Sequence, residues 1–163
     1  MASLSAPLVK KLLQGRYIAT LATKSPNRSI HMVAVWYWFD GTHINVATST
    51  RTRKARNLQT DSSISLMIDS RDPAASFGVT IMGRGEAVLG EASHKLNDHI
   101  HRKYLSEAAI ANPKVGPVFA AWDDMTIQIT PESVVAWDMR EADQHVFGGT
   151  FAANPGYLLD LER

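Results

Sequence analysis

The stretch IHMVAVWYWFDGTHINVATSTRTRKARNL, residues 30–58, decides how this chain folds. Its first part, residues 30–39, is rich in β-branched and aromatic side chains, which favours a β-strand. The dipeptide Asp40-Gly41 is a strong hairpin-turn signal. In the next segment, residues 42–48, Ile44, Val46 and Thr48 alternate with His43, Asn45 and Ala47, which predicts a partner strand. The pattern therefore predicts an antiparallel hairpin that leads directly into a basic segment.

The first strand of this hairpin is apolar on both faces. One face would carry Met32, Ala34, Trp36 and Trp38, and the other Val33, Val35, Tyr37 and Phe39. One face can fill a core, but the second must be covered by another layer, a second subunit or a flat ligand. A central strand in an ordinary core is the alternative interpretation, and the pattern alone leaves both open.

Four cations follow the second strand within six positions, although the formal net charge of the chain is only +1: Arg51, Arg53, Lys54 and Arg56. A helix over residues 51–59, starting at Ser49 or Thr50, would place the first three in its first turn. Each cation there costs about 0.3–1 kcal/mol, because a helix N-terminus is already electropositive. A phosphate held by backbone N–H groups, Lys and Arg would reverse this cost. The segment therefore predicts a phosphate site at Arg53 and Lys54, with a solvated surface helix as the alternative.

The rest of the chain predicts an antiparallel, mainly β (α+β) fold. Further predicted elements are helices over residues 5–15 and 93–109, and strands over residues 16–23, 63–69, 78–90, 125–130 and 133–138. Gly83 and Gly85 lie inside a predicted strand, where glycines mark a bend, a bulge or a close backbone approach. Strands linked by hairpins, with few helices, indicate a small barrel or an α+β sheet.

Composition excludes several classes of function. The chain has 163 residues, enough for one domain, and no cysteine, so disulfides, thiolate metal sites and cysteine nucleophiles are excluded. Its near-zero charge argues against a general nucleic-acid binder. The N-terminal residues hold no long apolar run, which predicts neither a signal peptide nor a membrane span. We therefore expect a cytoplasmic protein that acts on neither nucleic acid nor membrane.

At the level of families, residues 30–58 with SISLMID (63–69) resemble the pyridoxamine 5′-phosphate oxidase-like, FMN-binding split β-barrel proteins. This group includes flavin- and deazaflavin-dependent oxidoreductases. The most specific match is a strand ending in Thr48, then small polar residues, then Arg53-Lys54-Ala55 opening a helix. The resemblance implies a six-stranded antiparallel split barrel with a few short helices over residues 1–140. It also implies a homodimer with two cofactors at the interface.

The resemblance also implies which residues bind the cofactor. Arg53 and Lys54 would hold its phosphate, and Ala47 and Thr48 would lie near its ribityl chain. Trp137 would approach from the partner subunit. The predicted cofactor-binding residues are His31, Met32, Val33, Ala34, Val35, Trp36, Ala47, Thr48, Ser49, Arg53, Lys54 and Trp137, and no metal ligands are predicted.

This sequence departs from the oxidase itself at three places. His31 stands where the oxidase has Arg, Phe77-Gly78 stands where it has Gln, and the tail after Trp137 lacks the Arg-rich substrate motif. We therefore predict an oxidoreductase that uses FMN, or alternatively F420, to transfer a hydride to or from a small organic molecule, and not one that forms pyridoxal phosphate. The cations at Arg51 and Arg56 would suit the longer anionic tail of F420. A non-catalytic flavin- or haem-binding sensor or storage protein remains the unlike alternative.

Three histidines, an aspartate pair and the C-terminal tail have other interpretations. His94, His99 and His101 share a predicted helix, but their spacing does not place them on one face as ligands, so we interpret them as exposed. Asp123-Asp124 fits a turn before a strand. Residues 147–163 read as loop, yet they include the apolar residues Tyr157, Leu158, Leu159 and Leu161. We therefore predict that the C-terminal tail, residues 141–163, packs on its own or a partner subunit.

Overall fold

The computed structural model describes residues 3–72 and 76–159. Within these ranges one antiparallel sheet contains β1 (Ala19–Lys24), β2 (Ile30–Val35), β3 (Trp38–Phe39), β4 (Ile44–Thr48), β5 (Ser63–Asp69), β6 (Phe77–Leu89) and β7 (Met125–Asp138). The strand order is β2-β1-β5-β6-β7-β4-β3. Six of these strands form the main ladders, and β3 adds a two-residue edge. The predicted antiparallel α+β fold class is confirmed.

Helices lie before, between and after the strands. They are α1 (Pro7–Gln14), α2 (Arg53–Thr60), α3 (Gly90–Tyr104), α4 (Glu107–Ala111), α5 (Gly116–Trp122), α6 (Met139–Val146) and α7 (Thr150–Ala153), with a 3₁₀ turn at Pro155–Tyr157. None of the helices in the described ranges is both long and apolar enough to cross a membrane.

The core lies between the inner face of the sheet and α1. Leu21 on β1, Leu66 on β5 and Ile127 on β7 are fully buried. Helix α1 contributes its own apolar side, on which Val9, Leu12 and Leu13 are buried. The helical spacing of apolar residues in the sequence favours Leu8 on this side together with Leu12 and Leu13. In the structure Leu8 is only partly buried at the edge of the core, and Val9 takes the inner position.

The predicted strand over residues 30–39 is interrupted at Trp36 and Tyr37. Tyr37 is fully buried, and its hydroxyl donates to the carbonyl oxygens of Leu12 and Gly15 in and just after α1. Trp36 leaves the ladder and stacks on Tyr104 of α3. The segment is therefore two short strands at opposite edges of the sheet, because its middle binds helices instead of a neighbouring strand.

The predicted strands over 125–130 and 133–138 form the single long strand β7. Pro131 does not end this strand because the ladder with β6 shifts there: Met82 pairs with Ser133, and Gly83 pairs with Pro131. A bulge tolerates a residue without an N–H donor. A Cβ on Gly83 would lie 2.1 Å from the Thr130 carbonyl oxygen. The close backbone approach predicted for this glycine is confirmed.

Helix boundaries differ from the sequence predictions in several places. Helix α2 begins at Arg53 behind the cap Thr52, so Arg51 precedes the helix instead of lying in its first turn. Ser93, a residue type that favours helix caps and the first residue of the predicted helix 93–109, does not cap α3 but is buried inside it, where its hydroxyl bonds Thr126. The segment after Gly148, expected as loop, contains α7 and the 3₁₀ turn. Leu161 lies outside the described residues.

Candidate functional site

Hydrogen bonds in the loop between β4 and α2 fix the position of the α2 N-terminus. Thr52 caps the helix: its hydroxyl accepts from the Ala55 N–H at 3.4 Å and bonds the Thr48 hydroxyl at 3.0 Å. Asp124 fixes the loop from the other side, accepting from the Thr50 N–H at 2.7 Å and from its hydroxyl at 2.9 Å. No acidic residue occupies the first turn of α2. The cap uses the Ala55 N–H, and within the described residues the N–H groups of Arg53 and Lys54 have no acceptor and are available to an anion.

Lys54 lies in this first turn and is half-buried. Burial lowers the pKa of its ammonium group below the ordinary value, while the charge of Asp123 acts in the opposite direction. Within the described ranges no ion pair neutralises Lys54, so a half-buried cation faces the cleft without a partner in contact. A bound anion would supply that partner.

A cleft opens beside Lys54 in two connected parts. The part near α2 has a volume of about 360 Å³, and its walls carry hydroxyl and basic groups: Thr48, Ser49, Arg51, Thr52, Lys54, with Trp122, Ala47 and Asp123. The second part, of about 280 Å³, is mainly apolar and is lined by Ile18, Ala34, Val35, Trp36, Phe119, Ala47, Lys54 and Asp123. Ala47, Lys54 and Asp123 border both parts. Arg51 and three hydroxyl side chains line only the first part, whereas Trp36 and Phe119 line only the second.

An aromatic stack forms one wall of the apolar part. The rings of Trp36 and Tyr104 lie 5.0 Å apart and nearly parallel, at 4°. Phe119 of α5 stacks on the same indole at 5.5 Å and 22°. The Tyr104 hydroxyl donates to the Tyr17 carbonyl oxygen at 2.6 Å, which fixes the stack to the segment before β1. Flat, rigid walls of this kind bind planar ring systems.

Two residues at the cleft were missed by the sequence analysis. His101 was interpreted as exposed, but it is buried, and its Nε2 lies 2.8 Å from Asp123 Oδ2. Asp123 was interpreted as part of a turn, yet it lines both parts of the cleft. Its neighbour Asp124 has the structural role expected for the pair. No sequence motif joins His101 to Asp123, because they lie 22 residues apart on different elements.

The structure brings together part of the predicted cofactor-binding set. The cleft is lined by Ala34, Val35, Trp36, Ala47, Thr48, Ser49 and Lys54. Five others are not among its lining residues: His31, Met32, Val33, Arg53 and Trp137. Met32 is 62% exposed on the outer face of β2, and Trp137 packs its ring against Gly78. Arg53 is exposed beside the cleft, and Arg51, which was considered only for a longer anionic tail, lines it.

His31 has a buried Nδ1 for which the described part of the chain offers no hydrogen-bond partner. It is paired with Thr23 across the β1–β2 ladder. Among residues 3–72 and 76–159 no group of His, Asp and Glu side chains has a geometry that could hold a metal ion.

The outer face of the sheet is unusually apolar near its β2 edge. Met32, Ala22, Ser65, Met82 and Ser133 form one cross-strand row. Ala34, Thr20, Met67, Thr80 and Val135 form the next row. Side chains that pair directly across strands share a face, so these rows build one surface, the outer sheet face. Three of its apolar side chains are exposed, since Met32 is 62%, Val135 48% and Met82 40% accessible.

Comparison with known proteins identifies the family. The model for pyridoxamine 5′-phosphate oxidase matches residues 6–138, which include the sheet, α2 and the whole cleft. This chain belongs to the pyridoxamine 5′-phosphate oxidase family. The family resemblance predicted from residues 30–69 is therefore confirmed. No curated protein matches the sequence significantly.

Solved structures with the same fold include members of several kinds. A conserved hypothetical protein from Mycobacterium tuberculosis has a TM-score of 0.71 and 24% identity, covering 86% of this chain and 88% of the other. An F420 reductase has a TM-score of 0.62 and 19% identity, covering 77% and 94%. HutZ, the haem storage protein from Vibrio cholerae, has a TM-score of 0.63 and 17% identity, covering 80% and 92%. At these identities the similarity establishes the pyridoxamine 5′-phosphate oxidase-like split-barrel fold alone.

Proposed function

We propose that this protein is an oxidoreductase that binds a flavin-type nucleotide, FMN or F420, in the cleft between β2, β4, α2 and α5. The single observation that carries the proposal is the polarity of this cleft. One end presents Lys54, Arg51 and the first turn of α2, and the other presents the stack of Trp36 and Phe119. A ligand that fits both ends joins a flat ring to an anionic group, as a flavin nucleotide does.

The residues at each end fit such a group. Lys54 is a half-buried cation, and the helix terminus beside it adds free N–H donors. Such a terminus is a general phosphate-binding arrangement. Trp36, Ala34 and Val35 give an apolar wall for the ring. Membership of the pyridoxamine 5′-phosphate oxidase family and the fold shared with an F420 reductase support the same cofactor class.

When bound, the cofactor supplies the hydride chemistry, and this chain supplies binding and orientation. Lys54 and Arg51 would fix the phosphate, and hence the distance from the phosphate to the ring. Phe119 and Trp36 would exclude water from one side of the ring. No side-chain nucleophile is needed for this role. This agrees with the cleft, because its hydroxyl groups form hydrogen bonds at the start of α2.

The substrate is proposed to be a small organic molecule other than the pyridoxal precursors. After Trp137 the chain continues into α6, where Arg140 is paired with Asp138 through Nε at 2.8 Å. This arginine is therefore already neutralised within its own segment. The absence of an Arg-rich substrate motif from the sequence supports the same conclusion.

A homodimer is part of the proposal. The outer sheet face, defined above by its two cross-strand rows, is apolar, and large exposed patches of this kind mark interaction sites. Ala34 belongs both to this face and to the apolar part of the cleft. A second copy seated on the face would border the ring end of the cleft and cover it from solvent.

The absorbance spectrum of the purified protein tests the cofactor. Bound FMN gives two visible bands, F420 gives one band and bright fluorescence, and haem gives a strong Soret band. Protein purified without chromophore would be titrated with FMN and F420 separately. Saturable binding of either supports the proposal, and failure to bind both overturns it. A Soret band with no flavin binding would favour the haem-binding alternative.

Turnover separates an oxidoreductase from a sensor. The loaded protein would be mixed with NADPH or with reduced F420 and a panel of small electron acceptors, and cofactor absorbance followed over time. Reoxidation of the cofactor that depends on the acceptor supports an enzyme. A cofactor that binds tightly but exchanges no hydride with any donor would favour a storage or sensing role.

A further inference from the structure

Asp123 is a carboxylate at the junction of the two parts of the cleft. It borders both the cationic end and the aromatic end. A negative charge beside a phosphate site is unfavourable unless donors lie between the two groups. The charge of Asp123 acts on Lys54 and favours its charged form, but within the described ranges the two side chains form no ion pair in contact.

The fold holds Asp123 in place from three directions. Its N–H donates to the Phe119 carbonyl oxygen at 3.0 Å and ends α5. Its carbonyl oxygen accepts from Asn97 Nδ2 at 2.8 Å. Its Oδ2 accepts from His101 Nε2 at 2.8 Å, since a carboxylate can only accept and the histidine must carry the hydrogen there. These contacts fix both the backbone and the side chain.

The remaining carboxylate oxygen is left for a ligand. Among the residues that the structure describes, no protein group donates to Asp123 Oδ1. The His101 side chain is 9% exposed and that of Asp123 20%, so the histidine lies behind the carboxylate and the carboxylate reaches the cleft. His101 itself packs against Phe119 at 5.4 Å, which limits its rotation. The pair therefore presents one oriented acceptor at the middle of the cleft.

We propose that Asp123, held by His101, binds the hydroxyl groups of the chain that links the ring to the phosphate in the bound nucleotide. The inference rests on the proposed function, because it assigns a role within the same site. FMN and F420 both carry a polyhydroxylated chain at this position, and hydroxyls are the donors that an ionised carboxylate binds strongly. Asp123 is thus a specificity-determining residue and His101 is a positioning residue.

The test compares FMN with an analogue that carries a phosphopentyl chain without hydroxyl groups. Both ligands have the same ring and phosphate, so the change of charge in an Asp123 variant acts equally on both. Wild-type protein is expected to prefer FMN by about tenfold or more, the size of a charged hydrogen bond. In Asp123→Ala this preference is expected to fall to near one, measured by titration calorimetry.

His101 is tested by whether a donor can be restored. His101→Phe keeps a ring against Phe119 but removes the hydrogen bond, and it is expected to lose most of the preference for FMN. His101→Gln keeps a side-chain donor and is expected to retain more of it. If His101 had a purely structural role, both variants would lose the preference for FMN to the same extent. Melting temperatures measured in parallel would then show a loss of stability in both. Asp98→Ala and His94→Phe, at exposed positions on α3, are the matched controls.

Failure of this inference differs from failure of the proposed function. Wild-type protein that binds FMN without preferring it to the analogue, or an Asp123→Ala variant with an unchanged preference, overturns the role of Asp123 alone. Binding of neither FMN nor F420 overturns the cofactor site and this inference with it. An unchanged preference in His101→Phe leaves Asp123 as the acceptor and removes the positioning role of His101.

Discussion

At the scale of single residues, the charge of Lys54 is the feature that the cleft most depends on. Its ammonium is half-buried, and burial lowers its pKa in the free protein. An anion bound beside it would favour the charged form again. Lys54 thus links the sequence pattern at the start of α2 to the chemistry of the cleft.

Lys54→Ala is expected to weaken FMN binding by about 1.5–3 kcal/mol, the range for a hydrogen bond to a charged group. Arg56→Ala, on an exposed position of the same helix, is the matched control and should leave binding nearly unchanged. Calorimetric titration of wild type and both variants provides the comparison. Equal affinities in all three would show that the phosphate does not lie at this helix.

At the scale of secondary-structure elements, the β6–β7 ladder is held by a bulge whose geometry admits only glycine at position 83. Gly83→Ala would bring a Cβ to 2.1 Å from the carbonyl oxygen of Thr130. Neither strand can move away from this contact without breaking the ladder. We expect a loss of about 1–3 kcal/mol in the free energy of unfolding, from overpacking. Urea denaturation measures it. Gly156→Ala, where no atom lies within 4 Å, is the control and should be nearly neutral.

Helices α1 and α3 are joined by a half-buried lysine. Lys103 Nζ lies 3.8 Å from the centre of the Tyr37 ring and donates to the Leu13 carbonyl oxygen at 3.3 Å, near the end of α1. Burial lowers the pKa of Lys103 to about 8, from 10.5 for an ordinary lysine. Between these pH values the unfolded chain binds more protons than the folded one, so stability rises with pH in this window.

Lys103→Met should remove this pH dependence. The stability of wild type relative to the variant is expected to increase as pH rises from about 8 toward 10.5, because the folded protein releases the buried proton first. Thermal melts of both proteins at several pH values measure the difference. Lys10→Met, at an exposed position on α1, should show no such trend. A difference that shrinks with rising pH would contradict the prediction.

At the scale of the whole molecule, the proposed homodimer would form through the outer sheet face. Met32→Glu would place a charge at the β2 edge of this face, where the methionine is 62% exposed in the single chain. We expect wild type to sediment at twice the mass of the chain and the variant to shift toward the single chain. Leu89→Glu, at the far end of β6, is the control and should remain dimeric. Wild type that sediments as a single chain would remove the homodimer.

The dimer also bears on the site. Trp137 and Met32 were predicted to contact the cofactor, and neither lines the cleft of a single chain. Trp137 was expected to act from the partner subunit, so its place on the Gly78 backbone leaves that prediction open. The cleft of one chain contains the phosphate end and one wall for the ring, and a partner would supply the rest.

The sequence alone determined the elements whose signals are local. The Asp40-Gly41 turn, the strand at 63–69 and the cationic helix start at Arg53 and Lys54 all follow from short-range patterns, and they were sufficient to identify the family. Bulges and capping residues were less predictable. Thr52 and Ser93 are both residue types that cap helices. Only the surrounding structure decides that Thr52 acts as a cap and Ser93 does not.

Only the tertiary structure decided which distant side chains meet. Asp123 and His101 resemble ordinary surface residues in sequence, and they meet because α3 packs beside the start of β7. Trp36 fits a continuous strand by propensity, yet its ring gains more contact by stacking on Tyr104. Local propensity fixes helices and strands within a few residues, whereas a binding site depends on long-range packing that no single segment encodes.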